Sequence, residues 1–273
     1  FSHRKAIVER RIFALGGLFS VGIYAYAVMS NHVHVVLTVK PDQANQWSAD
    51  EVVDRWLRLF PSRKEKRMKE RRAAMLADAA RIAECRERLS SLSWFMRCLN
   101  EYLAKRFNLE DECTGRFWEG RFSCQALLNQ KALLAAMAYV DLNPIRAEIA
   151  KSIAASKHTG VLTRHKAIRK NRSLAEQTLK PLAGYLAPSC PKISESEYIA
   201  LVDWTGRQWH PEKCGKIART EPSALRRLGL DPAHWTHKVK GVGSAYWRVI
   251  GTVEEMLEKA VELKQAWVKG INF

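Results

Sequence analysis

The spacing of apolar residues over residues 21–40 predicts a β-hairpin. Two apolar runs flank Met29-Ser30-Asn31, which is the pattern of a strand, a tight turn and a second strand. We therefore expect strands over about 21–29 and 32–40. Because successive side chains of a strand point to opposite faces, the second strand presents two different surfaces. One face carries His32, His34, Val36 and Thr38, and the other carries Val33, Val35, Leu37 and Val39.

Helical spacing of apolar residues predicts helices on both sides of this hairpin. Ser48 is an N-cap candidate, and a run rich in Leu, Ala and Met before Pro144 predicts a helix that ends or kinks there. The helices expected in the first half span residues 3–19, 48–61, 66 onward, 89–107 and 129–150. Shorter helices are expected near residues 173–180, 194–203, 222–228, 231–238 and 252–269.

Two segments lack helical periodicity. Residues 114–124 alternate arginine and aromatic residues between glycines, which favours a strand. Residues 151–172 are rich in Lys and Arg with little apolar periodicity, which predicts a basic linker. We therefore expect a domain over residues 1–150 with a helical insertion at about 48–107, and a mainly helical C-terminal region over 173–273.

The charge of the chain narrows the class of partner. Its 45 Lys and Arg residues outnumber 28 Asp and Glu residues, which gives a net charge of +17 and a pI near 9.8. Such a field favours a polyanionic partner, nucleic acid before a membrane surface. The length of 273 residues and the hydrophobic fraction of 47% exclude a wholly disordered chain.

Cysteine usage and hydropathy predict a cytoplasmic protein. The six cysteines are widely spread without a C-x-x-C pair, so we expect a reducing compartment and neither a zinc site nor a disulfide framework. No apolar stretch reaches membrane-spanning length and no signal peptide is visible, so we expect no membrane partner. Because the chain opens on Phe1 rather than Met, we expect an N-terminal piece to be missing.

His32 and His34 are candidate metal ligands. Alternate positions on a strand lie roughly 6 to 7 Å apart, which is close enough for two imidazoles to bind one metal ion. A structural histidine pair is the alternative, and a third ligand is needed to decide. Tyr139 and Asn143 are four residues apart and project from one helix face, one turn from each other. A core tyrosine and a helix-ending amide are the alternative for that pair.

Several basic residues are candidates for DNA contact. Arg116 and Arg121 can contact phosphates while Trp118 stacks on an unpaired base, although core aromatics with solvated arginines fit the segment equally well. The basic stretches 63–72 and 151–172 are candidates for phosphate binding, with a solvated helical face as the alternative for the first. The residues singled out in these stretches are Lys64, Arg67, Arg164, Lys166, Arg169 and Lys170.

In their order along the chain, these motifs resemble a known family. His32-Val-His34, the Gly-Arg-Phe-Trp-Glu-Gly-Arg-Phe segment and Tyr139-Val-Asp-Leu-Asn-Pro-Ile-Arg-Ala resemble the REP-associated tyrosine transposases. These are relatives of the single-strand insertion-sequence transposases within the HUH endonucleases. The resemblance covers roughly residues 20–150, and Asp203-Trp-Thr-Gly-Arg207 and Leu228-Gly-Leu-Asp-Pro232 look like the longer subset with a C-terminal extension. It implies an α+β fold with a ferredoxin-like antiparallel sheet, whose first strand has no counterpart here.

The resemblance also implies an activity. The expected protein is a metal-dependent endonuclease and strand transferase, a transposase, that acts on single-stranded or hairpin DNA beside a palindromic repeat. Tyr139 is the implied nucleophile, which forms a covalent 5′-phosphotyrosine and releases a 3′-hydroxyl. His32, His34 and Asn143 are the implied ligands of Mg²⁺ or Mn²⁺, since hard phosphate oxygens complete the shell and no thiolate is offered. The insertion-sequence relatives carry Gln where this chain has Asn143, and both a monomer and a dimer stay open.

Two other functions fit the same residues. The first is a non-catalytic nucleic-acid-binding module that uses the same sheet face, with His32 and His34 as structural residues. The second is a protein that binds or processes RNA. Metal-dependent nicking of hairpin DNA distinguishes the enzyme from the binding module. Competition by RNA against hairpin DNA identifies a protein that binds or processes RNA.

Overall fold

A computed structural model describes residues 2–62, 64–187, 190–209, 221–244 and 248–272. The first elements are a helix and the predicted hairpin, namely α1 (Ser2–Gly16), β1 (Val21–Val28) and β2 (Val33–Val39). The helices that follow are α2 (Pro41–Asn45), α3 (Ala49–Leu59), α4 (Glu65–Leu76), α5 (Ala79–Leu89) and α6 (Leu92–Glu110). Ser48 caps α3 as expected, because its hydroxyl accepts a hydrogen bond from the Glu51 N–H.

The second half of the chain mixes short strands with helices. Its first elements are β3 (Ala126–Leu127), α7 (Gln130–Asp141), α8 (Asn143–Arg146) and α9 (Gly160–Lys170), with 3-10 turns at Ile153–Ala155 and Arg172–Glu176. Its later elements are β4 (Ala183–Gly184), α10 (Glu195–Trp209), α11 (Ser223–Arg227), α12 (Pro232–Val242), β5 (Val249–Gly251), α13 (Val253–Glu262) and β6 (Gly270–Asn272). Within the described ranges, none of these helices is long and apolar enough to cross a bilayer.

The described strands form an antiparallel sheet in the order β2-β1-β4 and a parallel sheet in the order β3-β5-β6. The β1–β2 register runs from Val21 opposite Val39 to Val28 opposite Val33. A bulge between Ile23 and Ala25 interrupts that register. The fold is therefore α+β, as expected.

Strand β1 is the centre of the hydrophobic core. Every residue from Val21 to Val28 is buried, so helices must cover both faces of the hairpin. Tyr24 and Ala27 pack with α7, α10 and α12 on one face, whereas Ile23 and Tyr26 pack with α1 and α6 on the other. Residues before 150 and after 172 thus share one core, and β4 adds Gly184 to the sheet opposite Gly22.

The strand predicted over residues 114–124 is wrong. This segment consists of turns and irregular backbone, and extended structure begins only at Ala126. Gly115 adopts a positive φ of 108°, which interrupts an extended run. Phe117 and Trp118 pack as a T-shaped pair, and the Trp118 indole N–H donates to the Asn100 carbonyl of α6. The aromatic residues therefore bind this segment to a helix rather than to a sheet.

The basic linker predicted over residues 151–172 is also wrong. Half of it is the helix α9, which the Thr159 side chain caps and which buries Val161 and Leu162. Arg164 on this helix is only 3% exposed, and its guanidinium donates to both Glu195 oxygens at 2.6 and 2.7 Å and to the Tyr24 carbonyl at 2.9 Å. Arg164 is therefore a buried structural residue, and its predicted role in DNA binding is wrong.

Substitution of Arg164 tests this structural role. Arg164→Ala leaves the largely buried Glu195 carboxylate without its charged partner, so we expect the free energy of unfolding to fall by about 3 to 5 kcal/mol in urea titration. The matched control is Lys69→Ala, which removes an exposed ion pair with Glu65 and is expected to cost less than about 1 kcal/mol. Equal losses in the two variants would show that Arg164 is not a buried stabilising residue.

Candidate active site

The two histidines lie together on the hairpin. His34 is opposite Ala27 in the β1–β2 register, and the turn is closed by the Met29 N–H, which donates to the His32 carbonyl at 2.9 Å. The ring centroids of His32 and His34 are 4.8 Å apart and the ring planes are nearly perpendicular, at 85°. Val36 of the same face is buried against α7, whereas Val33 and Val35 pack against the opposite core. The predicted division of the strand into two faces is therefore confirmed.

Helix α7 carries Tyr139 across this histidine face. Asn129 caps the helix, since its side-chain oxygen accepts a hydrogen bond from the Ala132 N–H at 2.8 Å. From Ala132 to Val140 the helix consists of apolar residues and Tyr139, and every residue from Ala132 to Asp141 is buried. Tyr139 is consequently only 5% exposed, with its ring centroid 6.0 Å from that of His34 and its plane at 84° to that ring. The phenol thus lies beside the histidine pair.

Asn143 follows one turn later, where the helix is interrupted as predicted. Leu142 separates α7 from α8, and Pro144 occupies the first turn of α8. The Asn143 amide nitrogen donates to the Tyr139 carbonyl at 3.2 Å, and the side chain is 1% exposed. The structure therefore brings His32, His34, Tyr139 and Asn143 into one cluster.

Arg146 is a member of this cluster that the sequence analysis missed. Its guanidinium donates to the Asn143 amide oxygen at 2.9 Å and lies 4.6 Å from the centroid of the Tyr139 ring. The signal was present in the sequence, because Arg146 follows Asn143 by three residues and Tyr139 by seven, which is helical spacing. Arg146 supplies a positive charge beside the phenol.

Both histidines are held in the neutral form at neutral pH. Burial, followed by electrostatic interaction with His32 and with the positive charge of Arg146, lowers the pKa of His34 from 6.5 to about 4. Burial and Arg146 also lower the pKa of His32. The neutral imidazole is the form that binds metal ions through a ring nitrogen.

The donor groups present fit a divalent cation. The Nδ1 atom of His32 lies 2.8 Å from the Asn31 side-chain oxygen, which favours the tautomer that leaves Nε2 free as a ligand. The Asn143 amide oxygen keeps a second lone pair beside the bond from Arg146. Among the described residues no group of three or more His, Cys, Asp or Glu side chains could hold a metal. An ion at this cluster would therefore take two imidazoles, an amide oxygen and oxygens from substrate or water.

The C-terminal region contacts the phenol directly. Gly243, immediately after α12, lies against Tyr139, and a Cβ built on it would be 2.1 Å from the hydroxyl oxygen. Any side chain at that position would displace either the ring or the end of the helix. The sequence motifs gave no indication of this contact, which joins residues more than a hundred positions apart.

The residues predicted to contact DNA lie on separate elements. Arg116 and Arg121 are exposed on the irregular segment beside α6, while Trp118 is partly buried and its indole N–H is occupied by Asn100. Lys64 precedes α4, Arg67 lies on it, and Lys166, Arg169 and Lys170 lie on α9, all with exposed side chains. Arg63 of the first basic stretch is outside the described residues. Contact with DNA phosphates stays a prediction for the exposed residues.

Comparison with known proteins identifies no relative. A scan against protein-family models found no match, and neither did searches of curated proteins and of solved structures.

The lowered pKa of His34 predicts a pH dependence of stability. Between pH 6.5 and about 4 the unfolded chain binds more protons at this residue than the folded chain. The stability that neutral His34 provides is therefore complete above pH 6.5 and is lost as the pH falls toward 4. With EDTA present, the free energy of unfolding of the wild type should fall by roughly 2 kcal/mol more than that of His34→Gln over this interval. Burial raises the pKa of Asp141 to about 6, which has the opposite effect on the pH dependence of stability. This effect is common to the wild type and to His34→Gln.

His234→Gln is the matched control for this titration, since the His234 side chain is 82% exposed. It should reproduce the wild-type curve. A His34→Gln curve parallel to the wild type would contradict the assignment of a buried, neutral imidazole.

The contact between Gly243 and Tyr139 predicts a coupling between the two positions. Gly243→Ala should lower the free energy of unfolding by about 1 to 3 kcal/mol, because the added methyl group overlaps the phenol. In a Tyr139→Ala background the same change should cost much less, which a double-mutant cycle of urea midpoints measures. Gly120→Ala is the control, since a Cβ there meets nothing within 4 Å. Additive effects at Gly243 and Tyr139 would refute the contact.

Proposed function

We propose that this chain is a metal-dependent single-strand DNA endonuclease and strand transferase of the REP-associated tyrosine transposase type. The single observation that carries the proposal is the position of the Tyr139 ring, 6.0 Å from the His34 ring, with Asn143 one turn further along. A tyrosine, two imidazoles and an amide are the groups that the motif resemblance requires together. The proposal includes a ferredoxin-like fold. The antiparallel hairpin, with α1 and α6 packed on one of its faces, supports that fold.

Each residue has a role in cleavage on this proposal. His32, His34 and Asn143 would hold Mg²⁺ or Mn²⁺, and the bound ion would supply Lewis-acid polarisation of the scissile phosphate. The Tyr139 oxygen attacks phosphorus, the bond from phosphorus to the 3′ oxygen breaks, the phenol loses its proton and the 3′ oxygen gains one. The products are a 5′-phosphotyrosine and a free 3′-hydroxyl. Because the linkage is still a phosphodiester, attack by another 3′-hydroxyl joins strands and regenerates the phenol.

Arg146 has a place in this chemistry as well. Its guanidinium is exposed, lies over the Tyr139 ring and keeps Asn143 in place through the amide oxygen. Arginine recognises phosphate oxygens through paired N–H groups. On the proposal, Arg146 orients Asn143 and attracts the phosphate that the phenol attacks.

A non-catalytic nucleic-acid-binding module is the second candidate function. The observation that favours it is the burial of Tyr139, which is 5% exposed and has its hydroxyl against Gly243. On that alternative the phenol packs in the core and the neutral histidines fill the face beneath it. The two candidates differ in whether incubation with DNA and metal leaves a covalent product.

Covalent capture of hairpin DNA tests the proposal. With Mn²⁺ or Mg²⁺, wild-type protein should form an adduct with labelled DNA that survives denaturing electrophoresis, and Tyr139→Phe should form none while its DNA affinity stays almost unchanged. His32→Ala with His34→Ala should also abolish the adduct, because the metal ligands are removed. Tyr185→Phe is the matched control, since its phenol bonds to Trp47 and Arg55 away from the cluster, and it should retain adduct formation.

An adduct with Tyr139→Phe would overturn the choice of nucleophile. Binding without an adduct in the wild type, with and without either metal, would support the non-catalytic module instead. Stronger competition by RNA than by hairpin DNA would assign the protein to the RNA-binding class.

A further inference from the structure

A groove of about 270 Å³ lies between α1 and α6 and is rich in arginine. Its lining residues are Ile7, Arg10, Arg11 and Ala14 on α1, and Tyr102 and Arg106 on α6. The spacing in each helix is that of one face, so the side chains of both helices converge on the same space. These helices pack on the face of the hairpin opposite to His34 and Tyr139. The groove is therefore distinct from the candidate active site.

No carboxylate of the described residues neutralises the positive charge of this groove. Among the described residues, Arg10, Arg11 and Arg106 form no ion pair, although both helices carry carboxylates. The only carboxylate of α1, Glu9, points away to His158 at 2.8 Å and to the Tyr26 hydroxyl. On α6, Glu101 pairs with Lys105 and Arg97, and Glu110 pairs with His3 and Arg4. The acidic side chains of both helices are thus engaged elsewhere.

Arg11 is oriented by the protein but only partly satisfied. One terminal nitrogen donates to the Cys98 carbonyl at 3.1 Å, and the guanidinium lies 4.3 Å from the centroid of the Tyr102 ring. Its Nε is buried and has no hydrogen-bond partner. The guanidinium is therefore partly desolvated and has no anionic partner among the described residues, and an anion in the groove would compensate its charge.

We propose that the groove between α1 and α6 binds a phosphodiester of the nucleic-acid substrate through Arg10, Arg11 and Arg106. Three guanidiniums around one space match the oxygens of a phosphate, which arginine contacts through paired donors. The partly exposed ring of Tyr102 offers an apolar surface beside them.

Nucleic acid is favoured over a small free anion by the surroundings of α6. The segment that carries the exposed Arg116 packs along the same helix, since the Trp118 indole bonds to Asn100 and the Asn108 amide bonds to the Gly115 carbonyl. The groove is open to solvent at Arg10, Tyr102 and Arg106, and the same helix also holds a segment with an exposed arginine, an arrangement that suits a polymer of phosphates. This inference rests on the nucleic-acid part of the proposed function and is independent of cleavage.

Salt-dependent binding tests the groove. In a Tyr139→Phe background, the affinity for a fluorescein-labelled DNA hairpin with a single-stranded flank is measured by anisotropy at several salt concentrations. Arg10→Gln with Arg106→Gln should reduce the slope of log affinity against log salt by roughly 0.7 to 0.9 for each phosphate that the protein no longer neutralises. The control, Arg227→Gln with Lys259→Gln, removes the same charge from residues that pair with Glu197 and Glu262, and should leave the slope nearly unchanged. Urea midpoints verify that each variant is folded.

Arg11→Lys supplies a second variant that keeps the net charge. It removes the planar fork of donors, so the affinity for the hairpin should fall although the charge is retained. A slope unaltered by Arg10→Gln with Arg106→Gln, or altered as much by the control, would overturn the groove as a phosphate site while leaving the proposed function intact. Binding of inorganic pyrophosphate that is lost in Arg10→Gln with Arg106→Gln but does not displace the hairpin would overturn the groove as a nucleic-acid site and reduce it to a small-anion pocket. Failure of every protein to bind the hairpin would overturn the proposed function and the groove assignment together.

Discussion

The structure depends on the requirement that a fully buried central strand be covered on both faces. Each residue of β1 is buried, so the hairpin must have a helix layer on each side, and burial of this apolar surface is the main favourable term in folding. The alternation of β2 then assigns His34 and Val36 to the layer that contains α7. A one-residue shift in the register would move both side chains to the α1 and α6 side. The proximity of Tyr139 to His34 is therefore a consequence of core packing.

The charges around this contact differ from those of an ordinary structural histidine pair. Arg146 is the charged side chain that the structure brings against Tyr139 and Asn143, and its positive charge helps to lower the pKa of both histidines. The positive guanidinium disfavours protonation of the imidazoles, so their nitrogen lone pairs stay available. The guanidinium also attracts anions. This combination agrees with the proposed chemistry, in which a cation and a phosphate occupy the cluster together.

Elements defined by local chemistry could be predicted from the sequence, whereas those defined by distant partners could not. The two faces of β2, the Ser48 cap and the helix interruption at Asn143 each follow from neighbouring residues, and all agree with the structure. The irregular path of residues 114–124 depends on contacts with α6, and Arg164 is buried because Glu195 and the Tyr24 carbonyl are brought to it. A basic side chain with no visible partner in its own segment was therefore mistaken for a surface residue.

The same long-range contacts explain why the second half of the chain matters for the candidate site. Asp141 lies between Tyr139 and Asn143 in the sequence and is fully buried. Its carboxylate accepts hydrogen bonds from the Tyr198 hydroxyl at 2.5 Å and from the Val161 N–H at 2.9 Å. Without these two hydrogen bonds from α10 and α9 the buried carboxylate would have its charge uncompensated, and the end of α7 would have to move. Three contacts therefore position the phenol. The hairpin packs against its ring, α9 and α10 hold the neighbouring Asp141, and Gly243 lies against its hydroxyl. A fragment that ended at residue 150 would keep every motif of the proposed active site but would lack the packing that holds Tyr139 beside His34.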